Sequence, residues 1–251
     1  MFDAVMVRGR IIGNIRRWFE ENGPNATAVL GISGGKDSTV TAALLARALG
    51  KERVMGVLMP CGIQKDIDDS IRVVQSLGIR YVTINIQESF SSLCEEGEKT
   101  NLVVGADARI NLQPRLRMAA LYMVAQSLPE GGRVINTCNR SEDYVGYSTK
   151  YGDGAGDMSV LGNYLVSEIL AIGDTMSEIP NDLVHKAPSD GLCGYTDEDR
   201  FGFTYEDLED YLKEGSSGDR DIDKKIEHMH RISRHKYEPM YFCGGPSGGL
   251  Q

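Results

Sequence analysis

Residues 28–38 read Ala28-Val-Leu-Gly-Ile-Ser-Gly-Gly-Lys-Asp-Ser38. A short apolar run passes into small and polar residues, and from Thr39 to Leu49 apolar side chains recur at helical spacing until Gly50 closes the segment. The pattern is a strand, a glycine-rich turn and a helix. Backbone N–H groups of such a turn, with the Ser33 and Ser38 hydroxyls and a helix N-terminus behind them, make a cradle for phosphate. Gly31, Ile32, Ser33, Gly34, Gly35, Lys36, Asp37 and Ser38 are therefore candidate nucleotide contacts. A carboxylate among phosphate ligands is repelled unless it holds a cation, so Asp37 points to a Mg²⁺ shared with the phosphates. The P-loop pattern G-x-x-x-x-G-K-[ST] does not fit, because Leu30 stands at its first glycine and Asp37 follows Lys36 where Ser or Thr belongs. The plain alternative is a turn that only joins strand to helix.

Working outward, the same alternation continues. Ala4 to Phe19 predicts an amphipathic helix before the first strand, with Val5, Ile11, Ile12, Ile15 and Phe19 at intervals of three, four and seven. Val54 to Met59 and Arg80 to Ile86 predict two more strands, separated by a helix from about Asp66 to Leu77. Leu112 to Leu128 predicts a long helix, Arg133 to Thr137 a fourth strand, and Arg140 to Val145 the start of another helix. Strand and helix in alternation imply an α/β fold, an open and mostly parallel Rossmann-like sheet with helices on both faces. Extra C-terminal helices follow at about 164–172, 205–213 and 219–235. Residues 1–243 are expected to form a single domain, and the Gly/Pro/Ser segment 244–251 a flexible tail.

Composition excludes several classes. Of 251 residues, 27 are Lys or Arg and 36 are Asp or Glu, giving a net charge of −9. That balance argues against a chain that wraps a nucleic-acid backbone. Residues 186–214 alone carry nine acids and three bases, so the acidity is local. The five cysteines lie far apart without a CxxC, which argues against zinc, iron–sulfur and disulfide frameworks. No apolar run reaches bilayer length and no signal-peptide pattern opens the chain, so a cytoplasmic protein with no membrane partner is expected. Glycine is in excess, with 29 residues. Five of them lie between Gly146 and Gly162, in a loop long enough to suggest function.

Ser33-Gly-Gly-Lys-Asp-Ser38 resembles the loop of the ATP pyrophosphatases, which cleave ATP between its α and β phosphates. Within that superfamily the chain resembles the ammonia-dependent NAD synthetases. Further pieces carry the resemblance: Gln113-Pro-Arg-Leu-Arg-Met118, Thr137 with Asn139-Arg-Ser-Glu142, Tyr147-Ser-Thr-Lys-Tyr-Gly-Asp-Gly154 with Asp157, Lys186-Ala-Pro-Ser189, Thr196-Asp-Glu198 and His235-Lys236. The resemblance implies that the nicotinate carboxylate of deamido-NAD attacks the α-phosphate of ATP, and that ammonia then displaces AMP to give NAD. It implies Asp37 and Glu142 as Mg²⁺ ligands, and Thr137 and Ser189 as ATP contacts beside the loop. It also implies Arg115, Lys150, Asp157, His235 and Lys236 as deamido-NAD contacts. Asp37, Lys36 and Lys150 are the candidate catalytic residues. Without the resemblance, Glu142 reads as a solvated acid on a helix's first turn, Arg115 as a surface charge and Lys150 as a solvated loop residue. His185, His228 and His230 read as structural or solvated.

The resemblance further implies a homodimer, with the apolar faces of the first helix and of the 112–128 helix as candidate contacts. Free ammonia is the expected nitrogen donor, since a glutaminase domain would need several hundred more residues; a glutaminase on a separate chain stays open. One departure stands out: the family's basic residue nine positions after Asp157 is Val166 here, so either another base such as Lys36 or Lys186 supplies the missing charge, with Lys36 expected to compensate in part, or the phosphate is held more weakly. The alternatives are another ATP pyrophosphatase, GMP-forming or tRNA-modifying, or a non-catalytic sensor of ATP and a dinucleotide. The acidic balance and the missing CxxC weigh against tRNA.

Overall fold

The structure, a computed structural model, describes residues 2–64, 66–186 and 197–243. Five parallel strands form the sheet: β1 (Thr27–Gly31), β2 (Val54–Leu58), β3 (Arg80–Thr83), β4 (Gly132–Asn136) and β5 (Met158–Ser159). Their order is β3-β2-β1-β4-β5. The chain builds outward from β1 to β3 on one side, then returns to place β4 on the other side of β1. That reversal opens a crevice beyond the C-terminal ends of β1 and β4, the place where open α/β sheets bind ligands.

Alternation along the strands divides the core into two layers. Ala28 and Leu30 of β1 face one cluster, which also holds Val7, Ile11, Ile15 and Phe19 of α1 (Ala4–Asn22) and Val40, Leu44 and Leu45 of α2 (Lys36–Leu49). Val29, Met55, Val57 and Val134 face the other, against Met118, Leu121 and Ala125 of α5 (Ala106–Ser127). Helices thus cover both faces, as a parallel sheet with few polar side chains requires. The first layer also receives α3 (Ile67–Leu77) and α7 (Val166–Asp174), whereas α4 (Gln87–Lys99) packs on α5. The apolar faces of α1 and α5 considered for a subunit contact are mostly spent on this core.

Two short helices, α6 (Arg140–Val145) and α8 (Asn181–Val184), connect these layers to α9 (Asp197–Phe201), α10 (Tyr205–Glu214) and α11 (Arg220–Ser233). The last three build a third cluster around Phe201, Phe203, Tyr205, Leu208 and Ile226, joined by Val145 and Val166. Val166 is therefore a core residue, and its N–H donates to the Ser141 hydroxyl at 3.3 Å. Among the described residues, no helix is long and apolar enough to cross a membrane.

Candidate active site

A cavity of about 640 Å³ opens at the crevice. Gly31 to Ser33 and Gly35 to Ser38 form one wall, Ile135 to Cys138 and Glu142 another, and Gln113, Arg117 and Met118 of α5 a third. The turn after β1 is held by its own hydroxyls. Ser33 N–H donates to Ser38 Oγ at 3.2 Å, the two serine hydroxyls lie 3.1 Å apart, and Gly35 N–H donates to Ser33 Oγ at 3.3 Å. Gly34 has φ +80°, and a Cβ there would lie 2.9 Å from the Ser70 backbone nitrogen, so only glycine lets α3 approach. Gly35 caps α2 without a side-chain bond. Helix α2 therefore presents its positive N-terminal end at the cavity wall, the property that suits phosphate.

The acidic side of the site comes from both strands. Asp37 lies in the first turn of α2 and Glu142 in the first turn of α6. Buried Asn139 links them: its Nδ2 donates to Asp37 Oδ1 at 3.3 Å, while its Oδ1 caps α6 by accepting from Glu142 N–H at 3.0 Å. Lys36 is 5 % exposed, and its Nζ lies 2.9 Å from Asp37 and 3.6 Å from Glu142. Behind them Tyr205 places its hydroxyl 3.0 Å from Asp197 and 3.3 Å from Glu142, with Lys36 Nζ 5.6 Å from the centre of its ring. Burial alone would depress the Lys36 ammonium, but Asp37 and then Glu142 outweigh it and hold its pKa above the ordinary value. Burial, reinforced by Asp37 and opposed by Lys36, pushes the Glu142 carboxyl up.

Lys36 lines the cavity, but its charge is paired there with the carboxylates of Asp37 and Glu142. Lys186, the other base considered for the charge missing at Val166, is also paired, with Asp66 at 3.0 Å and Asp69 at 2.8 Å. Among the described residues no group of three His, Cys, Asp or Glu side chains converges to hold a metal ion. Two carboxylates do suit a Mg²⁺ that draws its remaining oxygens from water and nucleotide phosphates.

The remaining candidates separate. Thr137 lines the cavity. Arg115, Lys150, His235 and Lys236 do not, and they meet instead where the loop after α6 touches the C-terminal segment. Lys236 Nζ donates to the carbonyls of Gly146 at 2.6 Å and Ser148 at 2.8 Å, Lys150 Nζ to the His235 carbonyl, and Arg115 Nε to the Lys150 carbonyl at 3.3 Å. The same loop turns Tyr147, Asp153 and Ala155 into the cavity. Asp157 lines a separate depression with Trp18, Tyr122 and Arg133, where its carboxylate accepts from Val134 N–H and the Tyr122 hydroxyl. Ser189 lies outside the described residues. His230 stacks on Tyr144 at 4.1 Å and His185 contacts Asp174 at 2.7 Å, while His228 lies 3.3 Å from an Arg231 nitrogen, all away from the cavity.

The sequence model of the NAD synthase family matches residues 9–240. The chain belongs to the NAD synthase family. The NH3-dependent NAD+ synthetase of Finegoldia magna is 38 % identical over 235 residues, which are 90 % of this chain and 95 % of that protein. Among solved structures, the NMN synthetase of Francisella tularensis is 30 % identical with a TM-score of 0.88, covering 98 % of this chain and 100 % of its own. The NH3-dependent NAD synthetase of Campylobacter jejuni, solved with a nitrate ion, is 26 % identical with a TM-score of 0.79, covering 97 % and 100 %. Membership in this family leaves the GMP-forming, tRNA-modifying and sensor alternatives without support.

Three residues absent from the sequence-based site belong to it structurally: Asn139, Asp197 and Arg117. All three lie inside the motifs that carry the resemblance, but the sequence holds no signal of their partners. Arg117 differs from Arg115 by half a helical turn, and Arg117 is the one that faces the cavity, its Nε donating to the Met59 carbonyl at 3.2 Å.

Proposed function

We propose that the chain is an ammonia-dependent NAD synthetase of the cytoplasm. It transfers AMP from ATP to the nicotinate carboxylate of deamido-NAD, releases pyrophosphate, and lets ammonia displace AMP to form the amide. The observation that carries the reading is the meeting of the Ser33–Ser38 cradle with Asp37 and Glu142 at the sheet's switch point, inside a family of this activity. Backbone N–H groups of the turn and the N-terminus of α2 hold the leaving pyrophosphate. Thr137 and Ser189 orient ATP by their hydroxyls. Asp37 and Glu142 would hold Mg²⁺, which lowers the repulsion between attacking carboxylate and phosphate when it is bound with ATP.

Loop 146–157 and the His235-Lys236 segment border deamido-NAD, with Arg115, Lys150 and Asp157 as further contacts. By covering the reacting groups they keep water from the acyl adenylate. The chain acts as a homodimer. Support comes from β3, which is exposed along its whole length with Tyr81 at 44 %, and from Met123 of α5 at 54 %. Sedimentation at micromolar concentration tests this, and a monomer refutes it.

The deciding assay supplies purified protein with Mg-ATP, deamido-NAD and either ammonium or glutamine, and follows NAD, AMP and pyrophosphate. NAD with one AMP per NAD from ammonium is the expected result. ADP as product, or no amide from ammonium, overturns the reading. The close structural likeness to the Francisella NMN synthetase favours a second reading, in which nicotinate mononucleotide is the carboxylate substrate. The ratio of kcat/KM for the two carboxylates decides between them.

A further inference from the structure

Lys36 stands in the phosphate turn, where an ammonium is expected to reach for phosphate. It turns instead to the two carboxylates on either side of the crevice, 2.9 Å from Asp37 and 3.6 Å from Glu142, with the Tyr205 ring at its side. We propose that Lys36 is a resident cation of the carboxylate site, competing with a divalent ion for Asp37 and Glu142, so that metal enters with the nucleotide. The inference rests on the reading under which these two acids hold Mg²⁺.

The geometry argues for competition. A Mg²⁺ bound to either carboxylate oxygen sits about 2.0–2.1 Å from it. An ammonium 2.9 Å from Asp37 and 3.6 Å from Glu142 then lies within a few ångströms of the metal, and two like charges that close repel in a partly dry site. The local charge also matters, because Lys36 cancels negative charge that Asp37 and Glu142 would otherwise offer a divalent ion. Nucleotide phosphates restore the deficit and bring further oxygens. The position of Lys36 is fixed from several directions, since it is nearly buried and Asn139 and Tyr205 hold the acids it contacts. Leaving those contacts would expose two facing carboxylates without a counter-charge.

Mn²⁺ serves as the probe, counted by the loss of its free paramagnetic resonance signal. Without nucleotide, the wild-type chain is expected to bind Mn²⁺ at least tenfold more weakly than Lys36→Gln. With a saturating α,β-methylene analogue of ATP, wild type is expected to bind Mn²⁺ more tightly than either wild type or the analogue does alone. Equal affinity in wild type and Lys36→Gln without nucleotide, or no gain in wild type with the analogue, overturns the proposal. The second measurement needs no variant and stands even if Lys36→Gln folds poorly. Where that variant is only marginally stable, Mn²⁺ without nucleotide should raise its melting temperature and leave that of wild type unchanged; the same shift in both counts against the proposal. Ion binding is independent of turnover, so a chain that makes no amide yet binds Mn²⁺ in this way refutes the proposed reaction and leaves the role of Lys36 in place.

Discussion

The turn after β1 and the loop after α6 border the same cavity but are built in opposite ways. The turn is made from eight contiguous residues, 31–38, whose hydroxyls and amides hold one another. The loop is held from outside: Lys236 grips the Gly146 and Ser148 carbonyls, the Tyr237 hydroxyl lies 2.6 Å from that of Ser148, and Lys150 reaches the His235 carbonyl. A contiguous motif can be preorganised by its own covalent neighbourhood. A loop held by a segment more than eighty residues away depends on the packing of α11, and so on the stability of the third cluster. Substitutions in the turn should strike chemistry while sparing the fold, and substitutions in the loop should strike stability and binding first.

The largest expected effect is on the turn. Asp37→Asn removes the charge that faces Lys36 and, in the proposed reaction, a metal ligand. Loss of one preorganised electrostatic contact of this kind costs about 10²–10³ in kcat. The melting temperature should stay within a few degrees of wild type, since the amide keeps the volume and can still meet Asn139. A variant that unfolds instead would show that the turn is not self-sufficient.

The matching test on the loop is Gly146→Ala. Gly146 closes α6 in the left-handed region with φ +72°, and a Cβ there would lie 2.0 Å from Ser233 Cβ on α11. Left-handed strain of about 1–2 kcal/mol adds to overpacking of about 1–3 kcal/mol, so denaturant unfolding should show a loss of roughly 3 kcal/mol. The companion Ser233→Gly should recover the overpacking part and leave the strain. If the double variant recovers nothing, the loop does not lean on α11.

These contrasts also explain what could be read from the sequence. The apolar run at 28–32 and the helical spacing after Thr39 are local, and with the strand–helix alternation along the chain they placed β1, the turn and the parallel sheet correctly. Boundaries moved where local signals conflict. Helix α5 begins at Ala106 rather than Leu112 and runs through Pro114, which normally interrupts a helix. Helix α2 begins at Lys36 rather than Thr39, because the turn residues themselves enter it. β5 has two residues and α8 four, too few to show a period. The orientation of Lys36 was illegible for another reason: in sequence it is one of the turn's cations, and only the arrival of Glu142 from β4 decides where its ammonium goes. The same holds for Asn139, which ties Asp37 of α2 to the first turn of α6, and for Val166, which joins the cluster built by α10.

A smaller effect is expected from Lys236→Met, which breaks the ammonium's grip on two carbonyls. Hydrogen bonds to charged groups contribute about 1.5–3 kcal/mol. Burial depresses the Lys236 ammonium, so part of that contribution is already offset by desolvation. A net loss of about 1 kcal/mol should appear in chemical denaturation, with a rise in KM for deamido-NAD larger than the fall in kcat. A fall in kcat alone would move Lys236 from holding the loop to the reaction itself.

The smallest effect has the opposite sign and lies at the seam of the two regions. Asp143 follows Glu142 on α6 but faces the loop side, near Tyr237 and Asp153. Its Oδ1 is buried with no hydrogen-bond partner among the described residues. Burial pushes its pKa up to about 6 from 3.8, against the pull of Tyr237 and with the help of Asp153. A carboxyl raised in the folded state binds its proton more tightly there than in the unfolded chain. Its contribution to stability is therefore complete below pH 4 and is lost as pH rises through about 6. At neutral pH the charged form is a burden, and Asp143→Asn should stabilise the protein by about 1 kcal/mol, a value reduced for partial solvation from the full shift. The gain should shrink to nothing as unfolding is measured at pH values falling from 7 to 4. A gain that does not depend on pH would mean that the amide fits by shape and hydrogen bonding, and that the charge of Asp143 is already compensated by the loop.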